Sequence, residues 1–310
     1  MNIVFFGSAD FSVPSLKALL NGGHTVSCIV TQPDRKKGRG MHVGGTVFKE
    51  AGRSLGIPLY QPENVNSPDS LAVLQKLAPD MFVVIAYGQL LSGELLRIPR
   101  LFSVNVHASY LPRYRGAAPI NWALVRGETE TGVTVIKMTE KMDAGPIILQ
   151  ERVQIIDSDT CITLERRLAD TGAALLLEAI KRIGARSFEL SLQDDKSVSF
   201  APKIKKENGL IVWSKTGRDI YNLVRGTLHR PGAYTRYQGG LLKIHAVRVS
   251  DDIAADRRPG EIIDVSKDGI RVAAGKGSVS ILELQPEGKR VMKAEEFISG
   301  HKIKPGDRLE

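Results

Sequence analysis

Cysteine is scarce in this 310-residue chain, which has only Cys28 and Cys161. The two lie far apart and neither belongs to a Cys-x-x-Cys pair, so they cannot build a disulfide framework or a thiolate metal site. The histidines are scattered as well, without the clustering that a metal site needs. We therefore expect no bound metal, and this cysteine usage is typical of the reducing cytoplasm.

Long apolar runs and two familiar motifs are also missing. Apolar stretches such as Met81–Ala86 are far shorter than the roughly 18 residues of a membrane-spanning helix. The first residues lack the basic start of a signal peptide, and Asp10 follows soon after them. No Gly-x-Gly-x-x-Gly follows the first apolar run and no Gly-x-Ser-x-Gly occurs, so neither a dinucleotide site nor a serine hydrolase is indicated.

The composition is that of an ordinary globular protein with an excess of basic residues. It is 42% hydrophobic and 25% charged, and the length allows one large or two ordinary domains. The net charge is +9, and residues 201–310 hold 21 basic against 14 acidic residues, whereas residues 1–200 hold 22 against 20. Such an imbalance favours a polyanionic partner, mainly for the last third of the chain.

One basic cluster stands out within the nearly neutral first part. The cluster consists of Arg35, Lys36, Lys37 and Arg39, with Gly38 and Gly40 interleaved. The glycines predict a flexible loop and not a helix face. Two interpretations stay open at this point. The cluster is either a solvated surface loop or a finger that binds phosphate groups.

Strand-like and helix-like segments alternate over the first 150 residues. Continuous apolar strands separated by helices predict a Rossmann-like α/β domain with a parallel sheet covered on both faces. Two further strands joined by a turn and a helix rich in Leu and Ala complete this domain. The predicted strands are Asn2–Phe6, His24–Val30, Met81–Ala86, Leu101–His107, Gly132–Met138 and Ile147–Ile155, and the predicted helices are Ser12–Leu20, Leu71–Leu77 and Thr163–Ile183.

The pattern changes after a polar stretch that resembles a linker. Short β-type runs then repeat every eight to twelve residues, which predicts a small OB-type β-barrel, a common platform for nucleic acids. The five runs are Ala233–Tyr237, Leu241–Val249, Glu261–Val265, Gly269–Ala273 and Ser278–Leu284. We expect a catalytic domain over residues 1–193, a linker over 194–208 and a barrel domain over 209–310.

The strand before Ala108 carries the residues with the most informative chemistry. Because side chains alternate along a strand, Asn105 and His107 face the same way, at the carboxyl end where open α/β sheets place their sites. An Asn amide donates to a developing oxyanion, His donates or shuttles a proton, and Asp143 in a later turn is a third member. No nucleophile accompanies them, so they suit acyl transfer to an amine of a second substrate. A structural histidine and an ordinary turn aspartate are the alternatives.

These residues belong to two stretches that resemble the folate-dependent formyltransferases. The stretches are Asn105–Ile120, which reads NVHASYLPRYRGAAPI, and Met142–Ile147, which reads MDAGPI. The likeness extends nearly from end to end and is strongest to the members that formylate methionyl-tRNA. One departure is Tyr110, where those enzymes usually have leucine.

The resemblance implies a site and its ligands. It implies that Asn105, His107 and Asp143 form a catalytic triad for transfer of the formyl group of 10-formyltetrahydrofolate to the α-amine of initiator methionyl-tRNA, for translation initiation. It implies that Ser109, Tyr110, Leu111 and Pro112 line the folate pocket, with Tyr87 at its border. Arg35, Lys36, Lys37 and Arg39 would enter the acceptor arm of the tRNA, and the barrel would hold its body.

Three other functions share part of this pattern. A formyltransferase for an amino sugar nucleotide would use the same core but would not need the basic loop or the basic C-terminal domain. A catalytically silent RNA-binding protein would have no use for the three site residues. A hydrolase that releases formate from the folate would have no use for the tRNA features. Nothing in the sequence requires more than a monomer.

Overall fold

The structure is a computed structural model that describes residues 1–37, 42–228, 230–251 and 257–310. The predicted tRNA contact Arg39 lies outside these ranges. The chain forms two compact units, one of Met1–Gly116, Thr131–Gln154 and Glu165–Ala201, the other of Ala117–Glu130, Ile155–Leu164 and Pro202–Glu310. Two segments of the predicted catalytic domain therefore pack with C-terminal residues. The domain bounds drawn from the sequence stay a prediction.

Alternating strands and helices occupy residues 1–184, as the sequence predicted. In chain order they are β1 (Asn2–Gly7), α1 (Val13–Asn21), β2 (Thr25–Val30), β3 (Arg35–Lys37), β4 (His42–Gly44), α2 (Val47–Ser54), β5 (Leu59–Tyr60), α3 (Pro68–Lys76), β6 (Met81–Ile85), α4 (Gly93–Leu96), β7 (Phe102–His107), α5 (Pro119–Val125), β8 (Glu130–Lys137), β9 (Ile147–Gln154) and α6 (Cys161–Gly184).

The first unit is built on a seven-stranded sheet in the order β5-β2-β1-β6-β7-β8-β9. The strands from β5 to β7 pair in parallel, whereas β7 and β8 are antiparallel, so the sheet is mixed and not wholly parallel. Every residue of β6 is buried, and Phe82 packs edge-on against Phe6 at a ring distance of 4.9 Å. Strands covered on both faces need this continuous apolar sequence.

Helix starts follow the sequence closely. Ser67 accepts a hydrogen bond from the Ser70 N–H at the start of α3, and Pro68 occupies its first turn. Ser92 caps α4 in the same way. These side chains satisfy backbone N–H groups that have no partner inside the helix, which fixes where each helix begins.

The second unit contains an antiparallel sheet and two flanking helices. Its sheet order is β10-β11-β14-β13-β12, and β15 pairs with β14. The five predicted strands are all present. The elements are α7 (Gly217–Thr227), β10 (Ala233–Tyr237), β11 (Gly240–Ser250), β12 (Ile262–Ser266), β13 (Gly269–Ala273), β14 (Ser278–Pro286), β15 (Met292–Lys293) and α8 (Ala294–Gly300).

The last residues of the chain join the two edges of this sheet. The Arg236 N–H in β10 donates to Glu310 O at 2.9 Å, and the Ile262 N–H in β12 donates to Asp307 O at 2.8 Å. A segment of four residues can bridge both edge strands only if the sheet has curled until they face each other. The sheet is therefore curled toward a barrel, as the sequence predicted.

Within the described ranges, the helices are too short or too polar to span a membrane. In the same part of the chain, no three His, Cys, Asp or Glu side chains approach closely enough to hold a metal ion.

Candidate active site

The three residues of the predicted triad meet in the first unit. Asn105 and His107 lie on β7 with their side chains on one face, and Asp143 lies in the loop between β8 and β9. The Asn105 Nδ2–H donates to Asp143 Oδ1 at 3.3 Å, and His107 Nδ1 lies 3.6 Å from the same oxygen. The His107 and Asp143 side chains are only 7% and 11% exposed. The carboxylate is thus the centre of a nearly enclosed polar cluster.

The loop that carries Asp143 folds back over the sheet. It leaves β8 beside the start of β7, where the Met138 N–H donates to Ser103 O at 2.8 Å. Asp143 then reaches the side chains of Asn105 and His107, further along β7. The Asp143 φ of 51° lies in the left-handed region, which aspartate tolerates better than most residues.

The backbone after β7 completes the cluster. The Gly116 N–H donates to Asp143 Oδ2 at 2.8 Å, and His107 Nε2–H donates to the Tyr114 carbonyl oxygen at 2.9 Å. Because a carbonyl can only accept, this bond fixes the proton on Nε2. His107 is held between two oxygens, and the carboxylate accepts from two different segments of the chain.

Asn105 keeps part of its hydrogen-bonding capacity. Its amide has two N–H groups, and among the described residues only the one toward Asp143 has a partner. The remaining N–H is available to an oxygen atom of a bound molecule. A donor held in this way on a buried strand suits the stabilisation of an oxyanion.

The four residues predicted to line a folate pocket divide into two kinds. Ser109 and Leu111 are 0% and 1% exposed, and the Ser109 hydroxyl donates to the Arg113 carbonyl at 2.6 Å. Tyr110 and Pro112 are partly exposed. The Arg152 guanidinium lies over the Tyr110 ring, 4.2 Å from its centroid. Tyr110 and Pro112 therefore offer the surface of this segment.

Tyr87, predicted to border the same pocket, is 2% exposed and packs edge-on against Phe6. Its hydroxyl is buried without a hydrogen-bond partner among the described residues, and burial raises the pKa of this phenol. The flanking Ala86 and Gly88 have φ values of 47° and 94°, so the chain turns sharply here. The backbone of the turn, and not the Tyr87 ring, faces outward.

Part of the basic cluster is a strand, where glycine content predicted a flexible loop, and Arg39 lies outside the described residues. Arg35, Lys36 and Lys37 form β3, which pairs antiparallel with β4 over three residue pairs. At the base of the hairpin the buried Lys49 ammonium donates to the Asp34 carboxylate. Gln61 Nε2 also donates to Asp34. The hydrogen bond from Lys49, and after it the one from Gln61, lowers the pKa of the Asp34 carboxyl. The residue before β3 is therefore tied to helix α2.

Sequence reasoning missed one residue of this site. Gln193, at the very end of the predicted catalytic domain, donates to Asp143 O and Gly145 O and accepts from Arg115. Neither its position after Leu192 nor its residue type indicated such a role. Arg115 lies within the stretch Asn105–Ile120 that resembles the formyltransferases.

Two family models match this chain. The family model described as formyl transferase matches residues 1–180, and that of the formyl transferase C-terminal domain matches residues 203–302. The methionyl-tRNA formyltransferase of Geobacter metallireducens is 42% identical over 309 residues, which cover 100% of this chain and 98% of that protein. The methionyl-tRNA formyltransferase of Pelotomaculum thermopropionicum is 42% identical over 306 residues, with 99% and 97% covered.

The fold has a solved counterpart. The N-formyltransferase from Helicobacter canadensis, crystallised with folinic acid and dTDP-3-aminofucose, superimposes with a TM-score of 0.67 at 18% identity, over 90% of this chain and 98% of that one. At this identity the likeness concerns the fold alone. The family models cover most of the chain and the relatives cover it from end to end, and on those grounds the chain belongs to the formyl transferase family.

Proposed function

We propose that this enzyme transfers the formyl group of 10-formyltetrahydrofolate to the α-amine of methionine on initiator methionyl-tRNA, for translation initiation in the cytoplasm. One observation carries the proposal. Asp143 Oδ1 lies 3.3 Å from Asn105 Nδ2 and 3.6 Å from His107 Nδ1, in a cluster that has no nucleophile of its own. The acceptor is supported by full-length relatives that are named methionyl-tRNA formyltransferases.

The reaction forms one bond and breaks another at the formyl carbon. The amine nitrogen of the methionyl group attacks this carbon, and a tetrahedral intermediate with a negatively charged oxygen results. The bond to N10 of the folate then breaks, and the proton that the amine loses ends on N10. Within the triad, the groups that can accept this proton on its way are the Asp143 carboxylate and His107.

Asn105 and His107 supply the donors for the intermediate. The free N–H of Asn105 points from a buried strand and needs no rearrangement to meet the oxyanion. Both ring nitrogens of His107 face oxygens, Tyr114 O and Asp143 Oδ1. The imidazole ring must therefore rotate when substrate binds, so that one of its N–H groups meets the oxyanion. Hydrogen bonds of this kind are often completed only in the substrate complex.

The two substrates have separate surfaces. We assign the folate to the segment Ser109, Tyr110, Leu111 and Pro112, where Tyr110 and Pro112 have exposed area. We assign the acceptor arm of the tRNA to Arg35, Lys36, Lys37 and Arg39, and the tRNA body to the basic second unit. No metal takes part, and a monomer suffices.

The choice of acceptor is the most direct test. Formyl transfer from 10-formyltetrahydrofolate is measured with initiator methionyl-tRNA, elongator methionyl-tRNA and an amino sugar nucleotide at equal concentrations. We expect kcat/KM to be highest for the initiator tRNA. Preference for the sugar nucleotide, or release of formate without any acceptor, would assign the chain to another activity.

Asn105→Ala tests the oxyanion donor. Loss of one such donor lowers kcat by roughly 10²–10³. Ser103→Ala is a matched control because Ser103 lies on the same strand and face, and its buried hydroxyl has no partner among the described residues. An Asn105→Ala enzyme that folds and turns over like Ser103→Ala would contradict the assignment.

A further inference from the structure

Gln193 connects the loop that carries Asp143 to the side chain of Arg115. Its Nε2 amide donates to Asp143 O at 2.8 Å and to Gly145 O at 2.7 Å. Its Oε1 accepts from Arg115 Nε at 3.0 Å and from Arg115 Nη2 at 2.8 Å. Both N–H groups and both lone pairs of the side-chain amide are therefore used.

The orientation of this amide has only one solution. If the amide were turned over, its oxygen would face two carbonyl oxygens and its NH₂ group would face a guanidinium. Both contacts would be repulsive, since carbonyls cannot donate and a guanidinium cannot accept. A glutamine is thus required for its two different ends, a donor toward the Asp143 loop and an acceptor toward Arg115.

The surroundings make this connection rigid. Two residues before Gln193, the backbone of Ser191 exchanges two hydrogen bonds with Ile147, at 2.8 and 2.9 Å, where the Asp143 loop enters β9. The Arg115 side chain is 11% exposed. A largely enclosed Arg115 side chain and a paired backbone leave Gln193 little freedom to move.

The connection also closes a ring of contacts around the carboxylate. Arg115 precedes Gly116, whose N–H donates to Asp143 Oδ2 at 2.8 Å. The Asp143 carboxylate thus accepts from the Gly116 N–H, and the Asp143 backbone carbonyl is connected through Gln193 to the Arg115 side chain. A residue with a left-handed φ of 51° needs such external support to stay in place.

We propose that Gln193 is a positioning residue for formyl transfer, which fixes the Asp143 loop relative to the Arg115–Gly116 segment so that the carboxylate meets Asn105 and His107. The proposal rests on the proposed role of the triad. Gln193 does not touch either substrate in this assignment. Its removal should therefore slow the chemical step and leave the binding of folate and of tRNA nearly unchanged.

The first test separates kcat from KM. In Gln193→Ala we expect kcat to fall between about tenfold and about a hundredfold, as for a misplacement of roughly 1 Å, with both KM values within about twofold of wild type. Asp195→Asn is the control, since Asp195 is 94% exposed and lies 3.9 Å from Arg115 Nη2 without contacting Gln193. A raised KM with unchanged kcat, or an equal loss in Asp195→Asn, would overturn the proposal.

Gln193→Glu tests the donor end alone, and it carries the test if Gln193→Ala does not fold. A carboxylate still accepts from Arg115 but presents oxygens to the carbonyls of Asp143 and Gly145. We expect kcat to fall at least as far as in Gln193→Ala. Wild-type kcat in Gln193→Glu would show that the bonds to the loop are not needed.

A double-mutant cycle with Asp143→Asn shows whether Gln193 acts through Asp143. If it does, the double variant Gln193→Ala/Asp143→Asn is no slower than Asp143→Asn alone. Multiplication of the two single losses would overturn the proposal. Wild-type turnover by Asp143→Asn alone would instead refute the proposed triad, so the two failures are distinguishable.

Discussion

Gly116 is a position where a single added methyl group should disturb the site. Its φ is 122°, outside the regions that L side chains adopt, and an added Cβ would lie 2.7 Å from the Ala201 carbonyl oxygen. That oxygen belongs to a backbone that cannot swing aside, because the Ala201 N–H donates to Arg115 O at 2.7 Å. Gly116→Ala therefore forces the backbone itself to move.

The size of the effect follows from the bond that this movement breaks. The Gly116 N–H donates to the Asp143 carboxylate at 2.8 Å. A hydrogen bond to a charged group contributes about 1.5–3 kcal/mol, and each 1.36 kcal/mol is a factor of about ten in rate. We expect kcat of formyl transfer to fall on the order of ten- to a hundredfold. Backbone strain should also lower the free energy of unfolding by about 1–3 kcal/mol.

The assay measures kcat at saturating folate and initiator methionyl-tRNA, and stability by urea unfolding. Gly56→Ala is the matched control, since Gly56 has a left-handed φ of 68° and nothing within 4 Å of an added Cβ. It should lose about 1–2 kcal/mol of stability and keep its kcat. The reasoning fails if Gly116→Ala retains the wild-type kcat, or if Gly56→Ala loses kcat to the same extent as Gly116→Ala.

Three further predictions concern other parts of the first unit. Replacement of all three residues Arg35–Lys37 by serine should weaken tRNA binding and leave folate binding unchanged. The slope of log K for tRNA against log salt should decrease by about two to three, and an unaltered slope in a filter-binding titration would refute the assignment of these residues to tRNA. Lys49→Met should lower the free energy of unfolding by a constant amount between about pH 5 and about pH 8, and by less below about pH 4. The reason is that the pKa of Asp34 is lowered below its ordinary 3.8, so the stabilisation by the ion pair is lost as the pH falls through that lowered value. A loss of stability that grows on acidification in urea titrations would contradict the pairing. Burial raises the pKa of the Cys28 thiol to about 11, so this thiol should react with a thiol reagent at about pH 8 only after unfolding, and rapid labelling of the native protein at Cys28 by mass spectrometry would show otherwise.

Local patterns in the sequence predicted most of the elements. The Leu- and Ala-rich segment predicted over Thr163–Ile183 is α6 at Cys161–Gly184, and the five β-type runs of the last third are five strands of the barrel. Apolar periodicity and turn residues act over a few positions along the chain, so one sequence is enough to detect them. The same alternation placed Asn105 and His107 on one face of β7.

Where the sequence fell short, the missing information was which segments pair with one another. Glycine content predicted a flexible loop over Arg35–Arg39, but Arg35–Lys37 pair with the nearby strand β4, and the sequence has no sign of this pairing. The parallel sheet became mixed at β8, since strand direction depends on how the chain returns to the sheet and not on the composition of the strand. The barrel closes through residues at the chain's end, which carry no β-type run of their own.

The sequence by itself determined the residue types of the site and the strand that carries two of them. It could place Asp143 only in a later turn, and it gave no reason to notice Gln193. Tertiary structure alone decided that this turn folds back over β7 and that Gln193, 50 residues further on, bonds to it. The physical reason is that local propensity fixes the conformation of short segments. The directions of hydrogen bonds between distant segments exist only once the sheet has brought them together.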